Sequence, residues 1–308
     1  MYTHSYRNSI ISSTFTLPIT AVLVLVFWML PDVSDSMLWA GLAVTGITAY
    51  LIMELNNRNA LLRIRSRMMS VTFLVLMLVC PALHKWSIEA IPTICLVFAY
   101  FMLFSSYQQV RPEGYIFHAF LFISVGSIIF PPLLVLALGY YVSMIFQLRN
   151  FSWRSFMAGI LGAAVPYWLY AAYAIWNNQL DTAFLYLYDW FEPRLPNYML
   201  LNVKQWITLG VIFGLALLAF IHFIHTAYND KIRTRMLLYV VITTQVLLTV
   251  GVVMLPGNFD EQMRLFIANS SLIIAHYYSL GKGRFFNLWF YLTIVILIAL
   301  GTYNYLSI

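Results

Sequence analysis

The chain of 308 residues is 62% hydrophobic and only 9% charged, with a mean hydropathy of +0.82, whereas soluble domains carry about 25% charged residues. A soluble fold of this size has too much exterior to hide so much apolar surface, so lipid is the solvent for most of it and a soluble globular class is excluded. The net charge of +6 fits basic residues gathered in cytoplasmic loops; no clustered basic face supports nucleic-acid binding.

Backbone polar groups in hydrocarbon must be satisfied internally, so apolar stretches of about 17–25 residues read as helices. In chain order they are 13–30, 36–55, 69–84, 89–107, 115–130, 132–148, 156–177, 206–228, 236–255, 264–280 and 286–306. The first is longer than a signal-peptide core, and the PDVSDS that follows lacks a small-x-small cleavage site, so it reads as an uncleaved span. In the turn after it, Asp32 and Asp35 allow two readings. Polyprenyl-phosphate-sugar transferases place a catalytic acid in their first outer loop, which makes Asp32 a candidate. The loop here is short, however, and a solvated turn with Asp35 or Ser36 capping the next span is the simpler account.

The next connection, ELNNRNALLRIRSRMMS, is the densest basic segment. Arg63, Arg65 and Arg67 would meet anionic headgroups or a cytoplasmic partner, and Glu54 would pair with one of the arginines. Cys80 and Cys95 lie in apolar segments without metal-like spacing and behave as small hydrophobes. From Tyr115 to Leu148 the chain is apolar throughout; as one helix it would be about 50 Å long, against a hydrocarbon core of about 30 Å. Pro131-Pro132 breaks it, because proline removes a donor and clashes with the preceding turn. Two short helices in a hairpin are expected.

The longest loop, 177–205, contains LDTAFLYLYDWFEPRLP. Leu180, Phe184, Leu187, Tyr188 and Phe191 share a helical face, which predicts an interfacial helix ended by Pro193. Such a helix seals the rim of a bundle, or it forms a platform for a lipid-linked substrate. In the second case Asp189 or Glu192 would serve as acid or base, and Arg194 with Trp190 would hold the substrate. His118, His222, His225 and His276 lie on three spans near one membrane face. They are candidates for a proton relay or metal ligation, weighed against histidines that simply reach the interface. Gly210-x-x-x-Gly214 reads as a helix-packing motif. Gln245, Asn269, Ser270 and Ser271 read as interhelical hydrogen-bonding groups.

Charge tests the span count. With the N-terminus inside, inner loops carry thirteen of the seventeen basic residues: Arg7, Arg58, Arg63, Arg65, Arg67, Arg111, Arg149, Arg154, Lys231, Arg233, Arg235, Lys282 and Arg284. A single crossing over 115–148 would reverse every later loop and erase this asymmetry. The expected architecture is thus an all-α polytopic transmembrane helical bundle. It has eleven spans in a single domain over 1–308, N-terminus cytoplasmic and C-terminus periplasmic, with one interfacial helix in the outer loop.

Two stretches carry a resemblance: ELNNRNALLRIRSRMMSVTFLVLMLVCPALH, and HAFLFISVGSIIFPPLLVLALGYYVSMIFQLRNFSWRSFMAGILGAAVPYW. Together they resemble a family of multi-pass inner-membrane proteins of Gram-negative bacteria, of similar length and without an assigned activity. The resemblance implies a bacterial inner membrane and a role in the cell envelope, and it supplies no catalytic residue.

Three function classes follow. The first is an envelope-biogenesis protein handling a lipid-linked (polyprenyl-phosphate) glycan. The second is a non-catalytic subunit of a membrane complex with other envelope proteins. The third is a secondary transporter or flippase. Membrane lipids are the expected partners, and no cofactor is implied.

Overall fold

A computed structural model describes residues 6–64, 66–191, 196–281 and 283–306. Every regular element among them is helical. In order these are α1 (Tyr6–Ser12), α2 (Thr16–Trp28), α3 (Ser36–Asn59), α4 (Met68–Leu78), α5 (Ile91–Ser105), α6 (Glu113–Ile129), α7 (Val135–Phe146), α8 (Trp153–Trp176), α9 (Leu180–Phe191), α10 (Val203–Thr226), α11 (Ile232–Met254), α12 (Phe259–Leu280) and α13 (Arg284–Tyr305). A helix thus lies on each apolar stretch read from the sequence. Six helical segments are long and apolar enough to cross a membrane: Ser36–Asn59, Ile88–Ser105, Trp153–Trp176, Val203–Asn229, Ile232–Met254 and Phe286–Tyr305. Four more apolar helices are shorter: Thr16–Trp28, Met68–Leu78, Glu113–Ile129 and Pro131–Phe146.

Local chemistry sets the boundaries. Asp35 stands in extended geometry before α3 and its Oδ1 accepts the Met37 N–H at 2.9 Å, the capping role anticipated for it. At the other end Ala60 takes the left-handed conformation at φ 49° and returns its N–H to the Asn56 carbonyl at 2.8 Å. Ser152 caps α8 by accepting the Ser155 N–H at 3.1 Å. The break between α6 and α7 falls at the proline pair, where Pro131–Leu134 form a 3-10 turn.

The chain forms two compact units. The first comprises Met1–Ser87, Leu201–Ile242 and Phe266–Ile308; the second comprises Ile88–Leu200 and Thr243–Leu265. In the second unit α6 packs between α5 and α8. A Cβ on Gly162 would lie 2.3 Å from the Phe117 carbonyl oxygen, so α8 meets the backbone of α6 directly. Ser124 Oγ donates to the Ala163 carbonyl and Ser127 Oγ meets Tyr167 Oη at 2.8 Å, tying the same two helices. In the first unit α4 packs on α2 and α3, and Gly41 of α3 faces the backbone of His84.

Gly210 and Gly214, read as a packing motif, have nothing within 4 Å of a Cβ built on either. Among the described residues they face open space, and the tightest approaches to backbone fall at Gly41 and Gly162 instead. Outward faces of α2, α8, α10 and α13 are apolar, including Val22, Trp168, Leu217 and Val295. By contrast α12 is buried on every face from Gln262 to Ser279, although it carries Arg264, Asn269, Ser270, Ser271 and His276.

Candidate functional site

The most concentrated buried charge lies in the first unit, around the C-terminal half of α12. It is assembled from two connections and one helix. After α10 a short 3-10 turn, Ala227–Asn229, releases the chain into extended geometry at Asp230. Asp230 N–H bonds to the Ala227 carbonyl at 3.0 Å, which fixes the main chain and turns the carboxylate inward. Its side chain is 0% exposed.

The second contribution comes from the α3–α4 connection, which is organised by its asparagines. Asn56 Oδ1 accepts the Leu62 N–H at 3.1 Å, and Asn56 Nδ2 donates to the Ser66 carbonyl at 3.1 Å. Ser66 Oγ donates in turn to the Ile11 carbonyl at 2.6 Å. The Ala60 carbonyl accepts from Thr234 Oγ1 at 3.2 Å, and Arg233 Nη2 donates to Asn59 Oδ1 at 3.2 Å. Held by these bonds and by the left-handed turn at Ala60, the connection brings Arg63 Nε to Asp230 Oδ1 at 2.5 Å.

The third member is His276 of α12, 1% exposed, whose Nε2 lies 3.2 Å from Asp230 Oδ2. Phe223 meets the imidazole edge-on, with ring centroids 5.3 Å apart. Burial pushes the Asp230 carboxyl up, but the hydrogen bonds and charges of His276 and Arg63 outweigh it and hold the group below the ordinary carboxylate range. Asp230 is therefore a carboxylate and accepts only, so His276 Nε2 carries the proton of their bond. The other ring nitrogen, Nδ1, is buried and has no hydrogen-bond partner among the described residues. An imidazole so oriented offers Nδ1 as a proton acceptor, with a carboxylate in place to stabilise the cation that results.

One turn further on, Arg7 of α1 is 4% exposed and its guanidinium donates to the Gly281 carbonyl just past α12. Burial lowers its pKa, with a smaller opposing influence from Tyr291. A cation at this position complements the negative end of the helix dipole.

The other predicted residues fare differently. Asp32 is exposed, and its Oδ1 accepts from Ser34 N at 2.9 Å and Ser34 Oγ at 2.7 Å. Those two bonds lower its pKa, so it is a turn-forming carboxylate. Asp35, besides capping α3, pairs with Lys85 at 3.0 Å. Of the three loop arginines, Arg63 is exposed overall but directs its Nε to Asp230. Arg67 is exposed and reaches the Thr14 carbonyl at 3.4 Å, and Arg65 lies outside the described residues. Glu54 pairs with Arg58 at 2.7 Å.

His222 is half-buried against Tyr277 and Phe286, with centroids 5.0 and 5.1 Å away, and it interacts electrostatically with His276. His225 is exposed. His118, in the second unit, is exposed and its Nδ1 meets the Gly114 carbonyl at 2.6 Å. Among the described residues no group of three or more His, Cys, Asp or Glu side chains is placed to hold a metal.

On α9, Trp190 packs edge-on against Phe130 with centroids 5.6 Å apart, and Tyr186 Oη donates to the Ile129 carbonyl at 2.9 Å. Glu192 and Arg194 lie outside the described residues, as does the side chain of Asp189. Cys80 and Cys95 are buried and not joined in a disulfide, and Asn269 Nδ2 donates to the Val241 carbonyl at 3.0 Å.

Asp230 and Arg7 carried only a loop-charge signal in the sequence. The legible clue was that Asp230 is the acidic residue of an otherwise basic segment, YNDKIRTR. Comparison of the chain with protein-family models, with curated proteins and with solved structures gives no match.

Proposed function

We propose that this chain is a proton-coupled membrane protein, a secondary transporter or flippase, whose proton-binding centre is the Asp230–His276 pair steadied by Arg63. The carrying observation is the buried, oriented imidazole with an unpartnered Nδ1 on a helix that is enclosed on every face. Ionisable groups enclosed away from water and paired with a specific charge partner are candidates for functional sites. Eleven crossings, an inside N-terminus and a periplasmic C-terminus complete the reading, on the strength of the basic-residue asymmetry. The family resemblance supports a bacterial inner membrane.

The test is charge displacement on a solid-supported membrane after a pH jump, with the purified chain reconstituted alone. The wild type is expected to give a protein-dependent transient that D230N and H276Q lose while keeping wild-type elution on size exclusion. A wild type without a transient, or variants that retain it, removes the proton-centre reading.

A second reading rests on α9. Its aromatic and apolar side chains Leu185, Tyr186 and Tyr188 are exposed, while Trp190 and Tyr186 anchor it to residues 129–130. An exposed amphipathic helix suits the membrane interface, where it would present a lipid-linked glycan to Asp189, Glu192 and Arg194. Co-purification of a polyprenyl-phosphate lipid, lost in a triple alanine variant of those residues, would favour it over the transporter.

A further inference from the structure

At the opposite end of α4 from Arg63 lies a second buried imidazole, His84, 1% exposed. Its ring lies flat on the Trp28 indole, with centroids 3.7 Å apart and planes 11° from parallel. Trp28 is itself fully buried and held by Nε1 donating to the Leu38 carbonyl at 3.1 Å. The His84 carbonyl meets the backbone of Gly41 so closely that a Cβ there would lie 1.9 Å from its oxygen. The stack holds the ring, and the contact with Gly41 holds its backbone.

Its two nitrogens decide its charge. Nε2 lies 3.2 Å from the Met77 carbonyl, which only accepts, so Nε2 carries a proton. Nδ1 lies 3.4 Å from Tyr305 Oη, and the same hydroxyl donates to the Phe27 carbonyl at 3.1 Å. With its proton given to Phe27, the phenol has a lone pair available to Nδ1. Both nitrogens then face acceptors. Met77 and Phe27 stand one residue from the ends of α4 and α2, so both carbonyls belong to negative helix termini. The stacked indole face attracts a cation. Lys85, the next residue, pairs with Asp35 at the start of α3, and Tyr305 interacts with Cys80.

We infer that His84 is a second proton-binding site, held as an imidazolium by the Trp28 face, the Met77 carbonyl and the Tyr305 hydroxyl. Loss of the proton would let the Tyr305 hydroxyl turn from Phe27 to Nδ1, which relaxes the bond joining α13 to α2. A proton held more tightly by the folded than by the unfolded chain stabilises at low pH, and that stabilisation is lost as pH rises. This inference does not depend on the Asp230–His276 centre.

Nitrogen NMR of the full chain in lipid nanodiscs, with only histidine labelled, reads the state directly. Near pH 7.5, where a free imidazole is mostly neutral, His84 is expected to show both ring nitrogens in the imidazolium range. H84Q assigns the signal; if H84Q does not fold, single glutamine variants of the other five histidines assign it by elimination. Y305F retains the ring and removes the acceptor, and should lower the charged-to-neutral ratio of His84 by about tenfold or more. One protonated and one bare nitrogen at near-neutral pH, or a Y305F ratio equal to wild type, overturns the inference.

Discussion

Gly41→Ala tests the packing of the first unit most sharply. The added Cβ would lie 1.9 Å from the His84 carbonyl oxygen, 3.0 Å from its carbon and 3.1 Å from the Trp86 nitrogen. All three are backbone atoms, so no side chain can swing away; α3 and the residue 84–86 segment must part by about 1.5 Å to restore ordinary contact. That movement strains the Trp86 N–H bond to the Met37 carbonyl, 3.0 Å long, and the His84–Trp28 stack. Overpacking a tight site costs about 1–3 kcal/mol and a lost hydrogen bond about 1 kcal/mol more. We therefore expect a loss of about 3 kcal/mol, on the order of a hundredfold in the unfolding equilibrium. The assay is reversible unfolding in mixed micelles by titration with a denaturing detergent. Gly210→Ala is the control: nothing lies within 4 Å of its Cβ, so its stability should stay at or slightly above wild type. If G41A stays within about 0.5 kcal/mol of wild type, or G210A costs as much as G41A, the close-approach reasoning fails.

Asp230→Ala removes the hydrogen-bond partner of buried His276 and the partner of Arg63; leaving a buried donor unsatisfied costs about 1–3 kcal/mol, and the same titration should find D230A clearly less stable than wild type. Because the Asp230 carboxyl is held below its ordinary range, its stabilisation is complete above that range and disappears as pH falls through the lowered value; the acid arm of a stability–pH profile should flatten in D230N. Ser152→Ala removes the α8 cap and should cost about 1 kcal/mol in the same unfolding assay. Asp32→Asn touches only an exposed turn and should leave both stability and any pH-jump transient unchanged.

The helices were legible because hydrophobic length is a strong signal: lipid forces the backbone to satisfy itself, and Pro131-Pro132 could only end a helix. The cap at Asp35 and the pairing of Glu54 followed from the same local chemistry. What escaped was direction. Arg63 sits among other arginines that look alike in sequence, and the left-handed turn at Ala60 with the Asn56 and Asn59 bonds brings its Nε to Asp230. Gly210 and Gly214 have the spacing of a packing motif but no neighbour, because spacing specifies a face and not what covers it. His84 ends an apolar stretch with no local feature to mark it; its partners Trp28 and Tyr305 lie 56 and 221 residues away.

The origin of each group in the Asp230 centre has a mechanical consequence. His276 belongs to α12, which is enclosed along most of its length and has no freedom to shift without repacking its neighbours. Its two partners come from connections: Asp230 from the α10–α11 turn, Arg63 from the α3–α4 loop. Were a proton taken up at Nδ1, as the proposed function requires, an imidazolium would stand beside the carboxylate and lessen its need for Arg63. On the proposed reading the helix would hold the proton while the two connections register it, which would place the conformational response at the ends of α3, α10 and α11.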